Sequence, residues 1–227
     1  MARKQRLPEV TSPKGVFKFP AIHAPYYGSD EYPDPDGTYG VRLILEEDAP
    51  ETQAFLKKII PHYQAAIAAA EEQFNQLPVS TRKKLGKVTQ NCLYDTVYDP
   101  ETEEPTGQIE LRVKMKAGGT FKKGPKEGQK WSRKPMVYDA KMNRLKDVPE
   151  AWGGTVGRVS MQLRPYFVAG TGVAGLQLAL QAVQIIDLIE GGERSAESLG
   201  FEAEEGYTAP TEAPIPGPDS EEDGGDF

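Results

Sequence analysis

Ile109-Glu110-Leu111-Arg112-Val113-Lys114-Met115-Lys116 alternates apolar and polar residues without a break. Successive side chains of a strand point to opposite faces, so Ile109, Leu111, Val113 and Met115 share one face. Arg112, Lys114 and Lys116 fall on the other as a row of cations two residues apart. Half-buried strands of this kind belong to an antiparallel or barrel architecture with one solvated face. Downstream, Val156–Val168 repeats the arrangement. Val159, Met161 and Leu163 face inward, while Arg158, Ser160, Gln162, Arg164 and Tyr166 face outward. Two strands therefore present cations on one face, the second with an aromatic among them.

Charge reinforces that reading. Residues 111–146 hold twelve Lys or Arg and two acids, although the whole chain of 227 residues carries −7. Phe121, Trp131 and Tyr138 are interleaved with these cations. Cations attract a phosphate backbone and flat rings offer stacking surfaces for bases. The loop Gly118–Lys134 adds Lys122, Lys123, Lys130, Arg133 and Lys134 to the candidate binding residues. From Glu190 to Phe227 the balance reverses, with twelve acids against Arg194 alone, so a mildly basic body precedes a strongly acidic segment.

The remaining pattern fills in a fold. Val16–Ile22 predicts a strand with Phe17, Phe19 and Ala21 on one face, and Tyr39–Leu45 predicts another with Arg42 outward. Residues 24–37, rich in Pro, Gly, Asp and Tyr, predict a loop. From Pro50 to Gln76 the period becomes helical, with Leu56, Ile59, Ile60, Tyr63, Ile67, Ala70 and Phe74 on a stripe. Pro61 lies inside it and predicts a kink or two abutting helices. Residues 77–105 read as connection, with a basic patch at Arg82-Lys83-Lys84, and Met136–Asp139 reads as a short strand. Leu176–Ile189 predicts a last strand whose phase slips near Gln181-Ala182, which a bulge or burial of both faces would account for. The fold class is thus mainly β. It is a five-stranded barrel of the OB-fold type with an inserted helix kinked near Pro61, spanning residues 1–190. Residues 191–227 form an acidic tail expected to be disordered.

Other functions are disfavoured. The single cysteine, Cys92, excludes an internal disulfide and points to a reducing compartment. His23 and His62 do not suggest a metal cluster, and no metal or cofactor is expected. No apolar run approaches the roughly 18 residues of a membrane span, and the basic start has no apolar segment behind it. Gly170-Thr171-Gly172-Val173-Ala174-Gly175 matches a dinucleotide fingerprint in letters, but an alternating strand pattern follows it instead of a helix. It reads as a hairpin loop. An enzyme resting on that loop is disfavoured. A scaffold binding double-stranded nucleic acid or an acidic partner stays as the alternative.

The chain resembles the single-stranded DNA-binding proteins of short-tailed, podovirus-type phages. The resemblance is carried by Gly37-Thr38-Tyr39-Gly40-Val41-Arg42-Leu43, the Ala65–Glu72 helix, Lys146-Asp147-Val148-Pro149, Arg164-Pro165-Tyr166, Leu176-Gln177-Leu178 and the Gly-Gly-Asp-Phe ending. It implies a non-enzymatic, dimeric protein of DNA replication, recombination and repair that coats single-stranded DNA and promotes annealing. It also implies action in the cytoplasm of an infected bacterial host. The tail, with Asp219, Glu221, Glu222, Asp223, Asp226 and Phe227, would contact the phage DNA polymerase and helicase-primase and compete with DNA. Tyr166 falls where the family has a base-stacking tyrosine, and Arg112 and Lys114 where it sets lysines against phosphate. Lys116 and Asp36 depart from the family's aromatic and arginine, for which Trp131 and Phe121 would compensate.

Overall fold

The computed structural model describes residues 7–191. The tail residues Asp219 to Phe227, and the expectation of disorder there, lie outside the described residues. In chain order the elements are β1 (Glu9–Thr11), β2 (Gly15–Gly28), β3 (Pro33–Glu46), α1 (Pro50–Asn75), α2 (Val79–Leu85), β4 (Thr89–Gln90) and β5 (Asp95–Tyr98). They continue with β6 (Pro105–Lys116), β7 (Gly118–Thr120), β8 (Lys130–Ser132), β9 (Met136–Tyr138), β10 (Val156–Val168) and β11 (Val173–Asp187).

Five long strands close on themselves. β2 pairs β3, β3 pairs β6, β6 pairs β11 in parallel, β11 pairs β10, and β10 returns to β2. The ring is a five-stranded barrel with the connectivity of an OB fold. Its closing seam pairs Gly157 with Gly15. A Cβ on Gly157 would stand 2.5 Å from the Phe17 ring, and one on Gly15 would stand 2.5 Å from the Ile44 carbonyl oxygen. Two residues without side chains are what allow the strands to meet over Phe17.

The alternation quoted above governs the interior. Ile109, Leu111, Val113, Met115, Tyr39, Val41, Leu43, Leu45, Val159, Met161 and Leu163 are all buried in one core. Each large side chain withdrawn fully from water contributes roughly 1.5–3 kcal/mol. The bulge in β11 is present. Ser160 pairs with Ala182 and Met161 with Leu180, which leaves Gln181 unpaired and moves the inner phase to Val183 and Ile185. The Gly170 segment is a tight turn between β10 and β11, with the Thr171 and Gly172 N–H groups donating to the Val168 carbonyl oxygen at 3.1 and 2.8 Å.

α1 starts with Pro50 at its first helical position, where the missing N–H costs nothing. It buries Phe55, Leu56, Ile59, Ala66, Ile67, Ala70 and Phe74. Its second half packs Ile67 and Ala70 on Ala174 at the start of β11. The helix runs as one element through Pro61, so two abutting helices are not formed.

Four expectations are corrected. Residues 24–37 are mostly strand, because β2 and β3 extend into a long hairpin that Ser29 and Tyr32 close. Phe19 does not face the core with Phe17. It takes φ of 50° and is 68% exposed, and the inward phase resumes at Ile22. Residues 77–105 contain a short helix and two short strands, and the basic patch at Arg82-Lys83-Lys84 closes that helix. The loop after Gly118 is braced by the β7–β8 hairpin.

Candidate nucleic-acid interface

β6 and β11 are paired only through Val113–Leu178 and Lys114–Ala179. Where they part, the connection from Gln90 to Asp95 crosses the gap. The result is an open cleft of about 650 Å³ lined by Arg112, Lys114 and Gln177 among others. Tyr166 reaches in from β10. Its ring lies across β11 against Gly175, its cross-strand partner, where a Cβ would come within 2.8 Å of the Tyr166 oxygen. The Asn91 Nδ2 group donates to the Tyr166 hydroxyl at 2.6 Å, fixing the ring's azimuth. Tyr94 and the exposed Cys92 line the same cleft. Nearby Tyr63 on α1 has its hydroxyl pKa raised, first by burial and then by its neighbours Cys92 and Tyr166.

The cation row is real, but carboxylates hold most of it. Glu110 lies on the same outer face and is only 7% exposed. Its oxygens take Arg42 at 3.2 Å, Arg112 Nε at 3.5 Å and Lys18 at 3.8 Å. Strand register explains the convergence, since Lys18 stands opposite Arg42 and Arg42 opposite Arg112. Arg112 also meets Asp95 at 3.0 Å. Lys116 is bound to Asp34, whose pKa is lowered, first by its hydrogen bond with Lys116 and then by one from Thr38. Lys114 has no ion-pair partner among the described residues, so it is the cation of the row most available to a ligand.

The other candidates fall in three places. Trp131 packs its ring on Gly119 in the β7–β8 hairpin, and the Arg133 guanidinium sits 5.1 Å from the ring centroid. Arg133 Nε donates to the Lys116 carbonyl oxygen at 2.8 Å. Burial, and then the neighbouring Arg164, lower the Arg133 pKa. Arg164 Nε donates to Gln162 Oε1 at 2.9 Å. Among the described residues, neither guanidinium has a hydrogen-bond partner at its terminal nitrogens. Phe121, Lys122, Lys123, Lys130 and Lys134 are exposed on and around the hairpin. Arg158 stands apart. It lines recesses with Thr11, Tyr138 and Ser160 on one side and with Glu46 and Glu51 near the start of α1 on the other, and does not enter the cleft.

Residues 15–188 match the family model described as the single-stranded DNA-binding protein of bacteriophage T7. A single-stranded DNA-binding protein of Enterobacteria phage T3 is 29% identical over 191 residues, covering 83% of this chain and 79% of the relative. One of Escherichia phage T7 is 28% identical over 205 residues, covering 88% and 84%. The crystal structure of the single-stranded DNA-binding protein encoded by bacteriophage T7 superposes with a TM-score of 0.64 at 23% identity, over 90% of this chain and 100% of that one. Among the described residues, no cluster of His, Cys, Asp and Glu is suited to a metal, and no helix is long and apolar enough to cross a membrane. The chain belongs to the T7-type family of phage single-stranded DNA-binding proteins.

Proposed function

We propose that this protein binds single-stranded DNA along the cleft between β6 and β11, without sequence preference and without catalysis. The observation that carries the reading is the convergence of Tyr166, Asn91, Arg112 and Lys114 in one open cleft on the barrel. Tyr166 stacks a base, while Lys114 and Arg112 take phosphates. Arg164 and Arg133 continue the cationic track toward the β7–β8 hairpin, where Phe121, Lys122, Lys123, Lys130, Trp131 and Lys134 contact the strand more loosely. A π-face is common to every base and the cations read only phosphate, so little sequence dependence is expected. Arg158, away from the cleft, contributes a long-range field at most.

On the same reading the protein coats DNA during phage replication, recombination and repair in the host cytoplasm, promotes annealing and acts as a homodimer. The acidic segment, including Asp219, Glu221, Glu222, Asp223, Asp226 and Phe227, recruits the DNA polymerase and helicase-primase. A charge of −11 after residue 189 supports a role for that segment as a weak competitor for the cleft.

Affinity for single-stranded against double-stranded DNA at one salt concentration tests the reading. Tyr166→Ala should weaken single-strand binding by about 2 kcal/mol, about thirtyfold, through the lost stack. The log–log salt slope should reflect about −0.7 per phosphate neutralised. Equal affinity for the two DNA forms, or an unchanged affinity in Tyr166→Ala, would refute it.

A further inference from the structure

We infer that Phe19 is a second base-stacking platform, outside the cleft, and that single-stranded DNA leaving Arg112 crosses β3 to reach it. The inference rests on the proposed binding of DNA in the cleft and extends its path.

Phe19 is placed against its own preferences. A phenylalanine on β2 in phase with Phe17 would be expected in the core. Instead, it adopts φ of 50°, a left-handed conformation that costs a side-chain-bearing residue free energy, and its ring is left in water. The following Pro20 adds to the cost, because a residue before proline favours extended backbone. The outcome is that Lys18 and Phe19, adjacent in sequence, both stand on the outer face. The Arg42 guanidinium lies 5.3 Å and the Lys18 ammonium 5.7 Å from the ring centroid. Both cations are also held by Glu110, so their positions are fixed before any ligand arrives.

The surroundings suit a nucleobase. Phe19, Tyr26 and Trp152 border one shallow groove of about 390 Å³ and are 68%, 59% and 52% exposed. Glu150 is the one carboxylate among the described residues lining it. Exposed rings beside fixed cations are the elements of a stacking and phosphate-binding surface. Continuity with the cleft decides the occupant. Lys18, Arg42 and Arg112 lie directly opposite one another on β2, β3 and β6. Two strand spacings, about 10 Å, therefore separate the cleft wall from the edge of the platform. A strand seated at Arg112 meets Arg42 and then Phe19 as it extends.

Fluorescence anisotropy with oligodeoxythymidylates of about 4 and about 16 nucleotides, spanning the usual site size of one such barrel, separates cleft from platform. Phe19→Leu keeps an apolar side chain without a ring. It should bind the short oligomer as the unaltered protein does and the long one about tenfold more weakly, whereas Phe19→Tyr should match the unaltered protein on both. Phe19→Gly, which suits the left-handed backbone, should melt no lower than the unaltered protein and show the same long-oligomer loss. This makes the result independent of whether the leucine variant folds well. Unchanged long-oligomer affinity in both Phe19→Leu and Phe19→Gly overturns the platform, as does an equal loss on both lengths. Tyr166→Ala in the same assay keeps the two readings apart. If Tyr166→Ala weakens binding and the Phe19 variants do not, only the platform fails. If none does, the cleft fails with it.

Discussion

If DNA lies in the proposed cleft, Glu110 limits how much of the cationic face it meets, and Glu110→Gln measures that limit. The side chain is 9% exposed and receives Lys18, Arg42 and Arg112, whose side chains are 48%, 43% and 63% exposed. Glutamine preserves the shape and one acceptor oxygen but removes the charge. Three cations directly opposite one another on adjacent strands are then left to repel. A hydrogen bond to a charged group contributes about 1.5–3 kcal/mol, and partial solvent exposure of the three cations puts the net loss near about 2 kcal/mol. For a body of this size that corresponds to a melting temperature lower by about 4–8 °C. DNA affinity should move the other way. Removing a negative charge about 8 Å from a bound phosphate is worth about 1 kcal/mol at an effective dielectric near 40, which is about fivefold tighter binding at low salt. The salt slope should steepen by up to about 0.7 if one freed cation gains a phosphate. Thermal melting and a salt titration of single-strand binding read both effects. Weaker DNA binding in Glu110→Gln would refute the reasoning, since repulsion between the Glu110 carboxylate and phosphate could then not be what limits affinity.

Other perturbations address single contacts. Cys92 is exposed and lines the cleft, so a thiol-reactive maleimide should modify it readily in the free protein and at least about tenfold more slowly when saturating single-stranded DNA occupies the cleft; equal rates would place DNA elsewhere. Asp34 has its pKa lowered below the ordinary value of 3.8 by Lys116 and Thr38, so it contributes stability above the unfolded value, lost as pH falls through the folded one. Urea unfolding should therefore show Asp34→Asn less stable than the unaltered protein at neutral pH, with the difference closing as pH falls below the ordinary carboxylate value of 3.8.

The barrel was legible where a strand is buried on one face only. β3, β6 and β10 read as alternating patterns because one face meets the core and the other meets water. Even the β11 bulge at Gln181 showed as a slip of phase. Phe19 was not legible, since its hydrophobicity argues for the interior and only the backbone turn at Phe19-Pro20 sends it outward. The Gln90–Asp95 crossing was missed for another reason. β4 and β5 are two and four residues long and owe their form to pairing with β11 and β6, so no local period announces them. Asn91 could not be singled out from spacing, because its role comes from meeting Tyr166, 75 residues away. Arg42 carried a usable signal in its outward phase. Lys18, two strands from Arg112, acquires its meaning only from register.

Counting charge along the chain overstates the field a ligand meets, because acids distant in sequence are folded onto the cations. Asp34, Asp95 and Glu110 each cancel part of the row that Arg112 to Lys116 presents, yet they do not cancel it in the same way. Glu110 is nearly enclosed and takes three partners, so replacing it with a phosphate would strand a buried carboxylate at substantial cost. Asp95 is 48% exposed and meets an Arg112 that is 63% exposed. Pairs of that kind contribute about 0–1 kcal/mol, so a phosphate can displace Asp95 at little cost. Arg112 is thus anchored from one side by an acid that stays and covered from the other by one that can leave. Lys114, unpaired among the described residues, needs no such exchange. If DNA lies in the proposed cleft, the first phosphate should settle at Lys114 and the second displace Asp95. Asp95→Asn should accordingly tighten single-strand binding with little effect on melting temperature, separating it from Glu110→Gln, in which affinity and stability move in opposite directions.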